Sequence, residues 1–99
     1  MSRFTLYAAA DGKGYLLDLQ SDFLSDYATR IVAPVIDLRA YAMPATTLNP
    51  IVEVEGQAHV VQIHLMATVP RSALKKPVGM CADQADEITR ALDLLFQGY

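Results

Sequence analysis

The sequence predicts a mainly β domain, of the α+β class, that ends in one α-helix. Short apolar segments between residues 3 and 80 are separated by turn residues, and several alternate apolar and polar side chains as half-buried strands do. From Ala85 the apolar residues recur every three or four positions, which is typical of an amphipathic helix. With 99 residues, we expect a single domain spanning residues 1–99.

The composition narrows the class of protein. A hydrophobic content of 53% with 19% charged residues is typical of a globular chain, and the net charge of -3 argues against direct DNA binding. No apolar run approaches the length of a membrane span, and the first residues lack a cleavage-like site. The lone Cys81 cannot form an internal disulfide, so nothing indicates an oxidising compartment and we expect a cytoplasmic protein. Because no membrane span is predicted, we also expect no membrane partner.

The first three strands follow from residue patterns in the first third of the chain. Residues 3–7 alternate as a half-buried strand, the turn Asp11–Gly14 follows with two glycines, and residues 15–19 return as the second strand. Asp18 lies among leucines there, so we expect it to be hydrogen-bonded and structural. The apolar segment 31–36 forms the next strand, and Pro34 predicts that it is an edge strand, bends or stops at that point.

The middle of the chain contains the clearest hairpin. Residues 37–49, which include Pro44, are expected to be mainly loop. Val52 and Val54 then alternate with glutamates, a turn follows at residues 55–57, and residues 58–65 return. Residues 66–69 end at a proline, and residues 71–80 form a surface connection with one short strand.

The helix has the expected signals at both ends. Asp83 is placed to cap it, Asp86 and Glu87 lie in the first turn where the helix dipole favours negative charge, and Gly98 marks its end. The residues predicted to share its apolar face are Ala85, Ile88, Ala91, Leu92, Leu95 and Phe96.

No constellation of residues predicts catalysis, a metal ion or a cofactor. His59 and His64 are five residues apart on one predicted strand, so their side chains point to opposite faces and cannot share a metal. Asp18, Asp22 and Asp26 favour turn or capping roles over a metal site, and no nucleophile signature surrounds Cys81.

Two features predict a contact surface. Phe23 and Leu24 are large apolar residues in an otherwise polar turn, so we expect them to be exposed. The sequence also ends on apolar residues, among them Phe96 and Tyr99, where chain termini are usually polar. Packing of these residues on the body of the protein and contact with a second molecule both remain open.

Collinear segments across nearly the whole chain resemble the CcdB family, whose members are toxins of toxin–antitoxin modules that poison DNA gyrase. The segments are RFTLY, LLDLQSDFLS, TRIVAPV, NPIVEVEG, MATVP and EITRALDLLFQGY. The resemblance implies an SH3-like, five-stranded antiparallel barrel with an additional small sheet and a C-terminal helix, in a homodimer. It also implies a role in plasmid maintenance and a CcdA-like antitoxin, with DNA contacted only indirectly through the antitoxin complex or through gyrase.

The resemblance further implies the residues that contact the gyrase A subunit. By position in the family pattern they are Phe23, Leu24, Asp93, Phe96, Gln97, Gly98 and Tyr99. Gln97 stands where the best-known member has a tryptophan, and Asp93 where it has an asparagine. The implied mechanism is not enzymatic, because the toxin would bind the DNA-cleaved state of gyrase and hold it there.

Two other functions are compatible with the sequence. One is a MazF-type endoribonuclease, which would need an acid, base or arginine cluster that the sequence does not present compactly. The other is a CcdB-like dimer that binds an antitoxin but no longer poisons gyrase.

Overall fold

The computed structural model describes residues 2–40 and 48–98. Within them lie seven strands and one α-helix. The strands are β1 (Thr5–Ala8), β2 (Tyr15–Asp18), β3 (Thr29–Asp37), β4 (Ile51–Val54), β5 (Gln57–Val61), β6 (Ala67–Pro70) and β7 (Pro77–Met80), followed by α1 (Ala85–Gln97). Single 3-10 turns occur at Asp22–Leu24, Leu38–Ala40, Ile63–Leu65, Arg71–Ala73 and Ala82–Gln84.

The strands form a curled antiparallel half-barrel. Five of them lie side by side in the order β6-β3-β2-β1-β7, and the β4–β5 hairpin pairs with the second half of β3. This arrangement confirms the expected fold class, with a mainly β antiparallel body and one C-terminal helix. The long strand β3 is the centre of the fold, because it connects the five-stranded part to the hairpin.

Pro34 neither ends β3 nor lies on an edge strand, so that part of the prediction is wrong. Pro34 lies opposite Leu16 of β2 in the middle of β3. On the other side of β3, residues 29–32 pair with β6 and residues 35–37 pair with β5. The proline therefore falls where the partner strand changes, and its carbonyl still accepts a hydrogen bond from the Gln62 N–H at 2.8 Å. Its missing N–H costs no ladder bond there.

Both predicted turns are confirmed. Gly12 and Gly14 have φ of +74° and +80°, a left-handed conformation that glycine adopts without strain. Glu55 and Gly56 also have positive φ, so they form the tight two-residue connection of the β4–β5 hairpin. The returning strand ends at Val61, however, and residues 63–65 form a 3-10 turn instead of continuing it. The predicted loop around Pro44 lies outside the described residues in its central part.

The main core lies between the half-barrel and α1. Ile88 and Ala91 are fully buried against sheet residues such as Leu17, Val35 and Val61. The prediction that these two residues lie on the apolar face of the helix is therefore confirmed.

The last turn of the helix departs from that prediction. Leu95 is 37% exposed and Phe96 is 71% exposed. They are not core residues, because this turn extends past the buried face of the sheet and Phe96 lines an open groove instead.

The two ends of the helix are stabilised differently. Gly98 has φ of +81° and donates its N–H to the Leu94 carbonyl at 3.0 Å, which is the expected C-terminal cap. Asp86 and Glu87 lie in the first turn as expected. Asp83 does not cap the helix, because it lies within the preceding 3-10 turn and the N-cap position falls on Gln84, whose side chain makes no capping bond.

Candidate functional site

An apolar groove lies between the Asp22–Leu24 turn and the last two turns of α1. Its volume is about 350 Å³. The lining residues are Leu19, Gln20, Ser21, Leu24, Ile31, Met66, Leu92 and Phe96. Leu24 and Phe96 come from segments more than seventy residues apart, and the fold brings both to this groove.

The Asp22–Leu24 turn is built by local hydrogen bonds. The Ser21 hydroxyl accepts a bond from the Phe23 N–H at 3.2 Å, and the Ser21 carbonyl accepts one from the Leu24 N–H at 2.9 Å. The Asp22 carboxylate accepts a bond from the Arg3 N–H at 2.7 Å, which attaches the turn to the start of the chain. The turn therefore has a defined conformation although its residues are exposed.

Phe23 and Leu24 are both exposed, as the sequence predicted. Phe23 is 96% exposed and Leu24 is 38% exposed. Leu24 lines the groove, whereas Phe23 is not among its lining residues. Large apolar groups grouped beside an apolar groove are typical of a surface that contacts another molecule.

The strands beneath the turn contain a buried ion pair. Arg30 donates from Nη2 to Asp18 Oδ2 at 2.6 Å and from Nε to the same oxygen at 3.0 Å, and both side chains have no exposed surface. The other oxygen of Asp18 accepts a bond from the Gln20 N–H at 3.0 Å. This confirms that Asp18 is hydrogen-bonded and structural. It also shows that the ion pair is hydrogen-bonded to Gln20, which lies two positions before the Asp22–Leu24 turn.

The remaining predicted site residues lie at the carboxyl end of α1. Asp93 is half-buried, whereas Gln97 and Gly98 are exposed. None of these three lines the groove, so they extend the surface around Phe96 rather than the groove itself. Tyr99 lies outside the described residues.

Six of the eight groove residues were not predicted as site residues from the sequence, namely Leu19, Gln20, Ser21, Ile31, Met66 and Leu92. The helical spacing predicts Leu92 on the apolar face of the helix, and Met66 is predicted only as part of a segment that ends at Pro70. Ile31 is 40% exposed between the buried Arg30 and Val32, so the alternation of β3 is the signal that could have placed it on this surface.

The two histidines and Cys81 do not line the groove. His59 is buried and its Nδ1 lies 2.9 Å from the Gln57 carbonyl, while its ring meets Tyr15 edge-on at 5.4 Å. His64 lies in the 3-10 turn rather than on the expected strand, and its Nδ1 is 3.2 Å from Asn49 Oδ1. Cys81 is 4% exposed, and burial raises the pKa of its thiol.

Metal-binding clusters and membrane-spanning helices are both absent from the described residues. Across residues 2–40 and 48–98, no three His, Cys, Asp or Glu side chains are grouped so that they could hold a metal ion. Over the same residues, no helix has the length and hydropathy needed to cross a lipid bilayer.

The half-barrel with a C-terminal helix defines a protein of the MazF/CcdB-like toxin fold. The structure is similar to that of the Mycobacterium tuberculosis toxin MazF-mt6, with a TM-score of 0.75 at 20% identity over 95% of this chain and 96% of that one. It is also similar to a structure described as an Mtb toxin, with a TM-score of 0.74 at 20% identity over 93% of this chain and 99% of that one. At this level of identity the similarity establishes the fold.

The chain belongs to the CcdB family, because the family described as "CcdB protein" matches residues 3–98. No curated protein matches the sequence. Family membership and the shared fold together support a toxin of a toxin–antitoxin system.

Proposed function

We propose that this protein is a toxin that binds the A subunit of DNA gyrase and traps the gyrase–DNA cleavage complex. The observation that carries the proposal is the meeting of Leu24 and Phe96 at one apolar groove, with the almost fully exposed Phe23 beside it. Both segments match the positions that the family resemblance implies for the gyrase contact, and membership of that family supports the same target here.

The chemistry of this surface suits protein binding. Aromatic and large aliphatic side chains that lose water on contact supply most of the free energy of protein association. Phe23 and Phe96 would act as such anchors, and the half-buried Asp93 at the rim would pair with a cation of the target. The toxin itself performs no bond-making step, because a ligand that binds only the DNA-cleaved conformer shifts gyrase into that state.

The MazF-type endoribonuclease alternative is favoured by one observation, the fold shared with MazF-mt6. RNA cleavage requires a cation that reaches the developing phosphorane charge and a group that activates the ribose hydroxyl. Arg30 is fully buried and bound to Asp18, so its guanidinium cannot reach a phosphate. The groove is lined mainly by apolar side chains, which suits a protein surface better than a phosphodiester.

The expected partners follow from the same proposal. A CcdA-like antitoxin would neutralise the toxin, a second copy of the chain would form the homodimer, and the protein would act in the cytoplasm, where gyrase is found. A dimer that binds antitoxin without poisoning gyrase is the remaining alternative, which the differences at Asp93 and Gln97 keep open.

The proposal is tested by measuring affinity for purified gyrase A subunit with Phe23→Ala and Phe96→Ala. Each is expected to weaken binding by about 2 kcal/mol, or about 30-fold in Kd. Because Phe96 is 71% exposed, its replacement should lower stability by less than about 1 kcal/mol.

Met80→Ala is the matched control for this measurement. Met80 is 57% exposed on β7 and does not line the groove, so its replacement should leave the Kd unchanged. Wild-type protein that cleaves RNA and does not bind gyrase would instead support the endoribonuclease.

A further inference from the structure

The side chain of Gln20 connects the two ends of the exposed loop formed by residues 21–28. Its Nε2 donates to the Leu24 carbonyl at 3.0 Å and to the Thr29 carbonyl at 3.2 Å. Its Oε1 accepts a bond from the Ile31 N–H at 3.2 Å. Gln20 is only 9% exposed, so these bonds are largely shielded from water.

The backbone of Gln20 is hydrogen-bonded to both members of the buried Asp18–Arg30 ion pair. Its N–H donates to Asp18 Oδ1 at 3.0 Å, and its carbonyl accepts a longer contact of 3.5 Å from Arg30 Nη2. The ion pair therefore orients Gln20, and Gln20 in turn orients the loop. The Leu24 carbonyl is the decisive contact, because it belongs to the 3-10 turn that carries Phe23 and Leu24.

The pattern of donors and acceptors requires a carboxamide. Two carbonyl oxygens face one end of the Gln20 side chain, and one N–H faces the other end. A glutamate would place an oxygen against those two carbonyls, and a methionine would leave all three backbone groups without this partner. Gln20→Glu therefore removes the two donated bonds and keeps an acceptor for the Ile31 N–H, whereas Gln20→Met removes all three bonds. Both replacements are nearly isosteric and change the side-chain volume little.

We infer that Gln20 is a positioning residue, which fixes the Phe23–Leu24 turn beside the groove before the target arrives. This inference rests on the proposed gyrase-binding function of that surface. A loop that is ordered in the free protein loses less conformational entropy on binding than a mobile loop does. Gln20 contributes to affinity through this order. Because Gln20 also lines the groove, loop order is measured without the target, where loss of a direct contact has no effect.

The test combines gyrase A affinity with a direct measurement of loop order. The chain contains no tryptophan, so the indole introduced by Phe23→Trp is a single fluorescent reporter in the loop. In that background, Gln20→Met and Gln20→Glu are expected to lower the fluorescence anisotropy of the indole. In the native background the same two changes are expected to weaken gyrase A binding by at least tenfold.

Val52→Ala is the control for general destabilisation. Val52 is buried in β4 and does not line the groove, so its truncation lowers stability elsewhere in the fold. Each variant is measured at the same number of degrees below its own thermal midpoint. Under these conditions Val52→Ala should keep the anisotropy and the affinity of wild type. Equal losses in Val52→Ala and the Gln20 variants would overturn the inference, as would unchanged anisotropy in both Gln20 variants.

A measurement on the unmodified protein covers the case in which the Gln20 variants do not fold. The side-chain amide protons of Gln20 should exchange with solvent far more slowly than those of the exposed Gln57. Equal exchange rates would overturn the inference. If wild type does not bind gyrase A, the proposed function fails, whereas the anisotropy and exchange measurements still decide whether Gln20 orders the loop.

Discussion

Removal of the Asp18 carboxylate is expected to destabilise the protein strongly. Asp18 and Arg30 have no exposed surface, and two bonds of 2.6 and 3.0 Å join them. Their positions on the neighbouring strands β2 and β3 leave Arg30 no route to solvent. Asp18→Asn keeps the volume of the side chain and removes its charge, so it isolates the electrostatic part of the interaction.

The size of the expected loss of stability follows from the burial of Arg30, whose charge remains when Asp18 is replaced. Loss of a neutral hydrogen bond with an unpaired partner costs about 1–3 kcal/mol, which is the range the sequence alone suggests for Asp18→Ala. Loss of one member of a buried ion pair costs about 3–5 kcal/mol, because the other charge stays buried without compensation. Within the described residues, Arg30 Nη1 already lacks a hydrogen-bond partner, so the guanidinium depends strongly on Asp18. We therefore expect the larger range for both substitutions.

Urea unfolding followed by circular dichroism measures this loss. A change of about 3 kcal/mol corresponds to a fall of about 12–24 °C in the thermal midpoint of a domain this small. The double variant Asp18→Leu with Arg30→Met should recover most of the lost stability, since an apolar pair can replace a buried ion pair.

The matched control is Asp37→Asn, which removes the surface pair with Arg39. Asp37 Oδ2 and Arg39 Nη2 are 2.8 Å apart, but Arg39 is 79% exposed. Because an exposed ion pair contributes little to stability, we expect little change in the free energy of unfolding. An Asp18→Asn variant as stable as wild type would show that the buried pair does not depend on the Asp18 charge. A double variant less stable than Asp18→Asn alone would show that the cost does not come from the unpaired Arg30.

The other predictions concern the buried thiol, a glycine turn, the helix end and the oligomeric state. Because burial raises the pKa of Cys81, Ellman's reagent at pH 8 should label it far more slowly in the folded protein than in urea, and fast labelling of both would contradict this. Gly14→Ala should lower stability by about 1–3 kcal/mol, because φ is positive and the added Cβ would lie 2.6 Å from the Val35 carbonyl oxygen. Gly12→Ala has nothing within 4 Å of its Cβ and should cost less in the same urea titration. Gln97→Trp should strengthen gyrase A binding by about 0.5–2 kcal/mol if its ring stacks on a target arginine, and a calorimetric Kd equal to or weaker than that of wild type would argue against such a contact. Sedimentation equilibrium at micromolar concentration should give about twice 10.8 kDa, and a single species of 10.8 kDa would exclude the homodimer.

Much of the fold can be predicted from local patterns in the sequence. The strand alternation at Val52 and Val54, the glycines of the turns and the helical spacing from Ala85 each depend on nearby residues, and the structure agrees with them. The exposure of Phe23 is predictable for the same reason, because a polar turn offers no apolar surface to cover it.

The parts that depend on long-range pairing could not be predicted. Asp18 required a partner, but only the β2–β3 register identifies it as Arg30. Pro34 is a strand breaker by local rules, yet the change from β6 to β5 provides a position that needs no N–H. The meeting of Leu24 with Phe96 likewise depends on where the helix packs, which no local pattern specifies.

Gyrase-mediated cleavage of supercoiled plasmid is the most direct test of the proposed function. Purified gyrase, ATP and this protein are incubated with the plasmid, and the reaction is stopped with detergent and protease. Linear DNA should accumulate with wild type and with Met80→Ala, and should be much reduced with Phe96→Ala. No linear DNA at protein concentrations that saturate gyrase A binding, or equal amounts with wild type and Phe96→Ala, would contradict the proposed poisoning of gyrase.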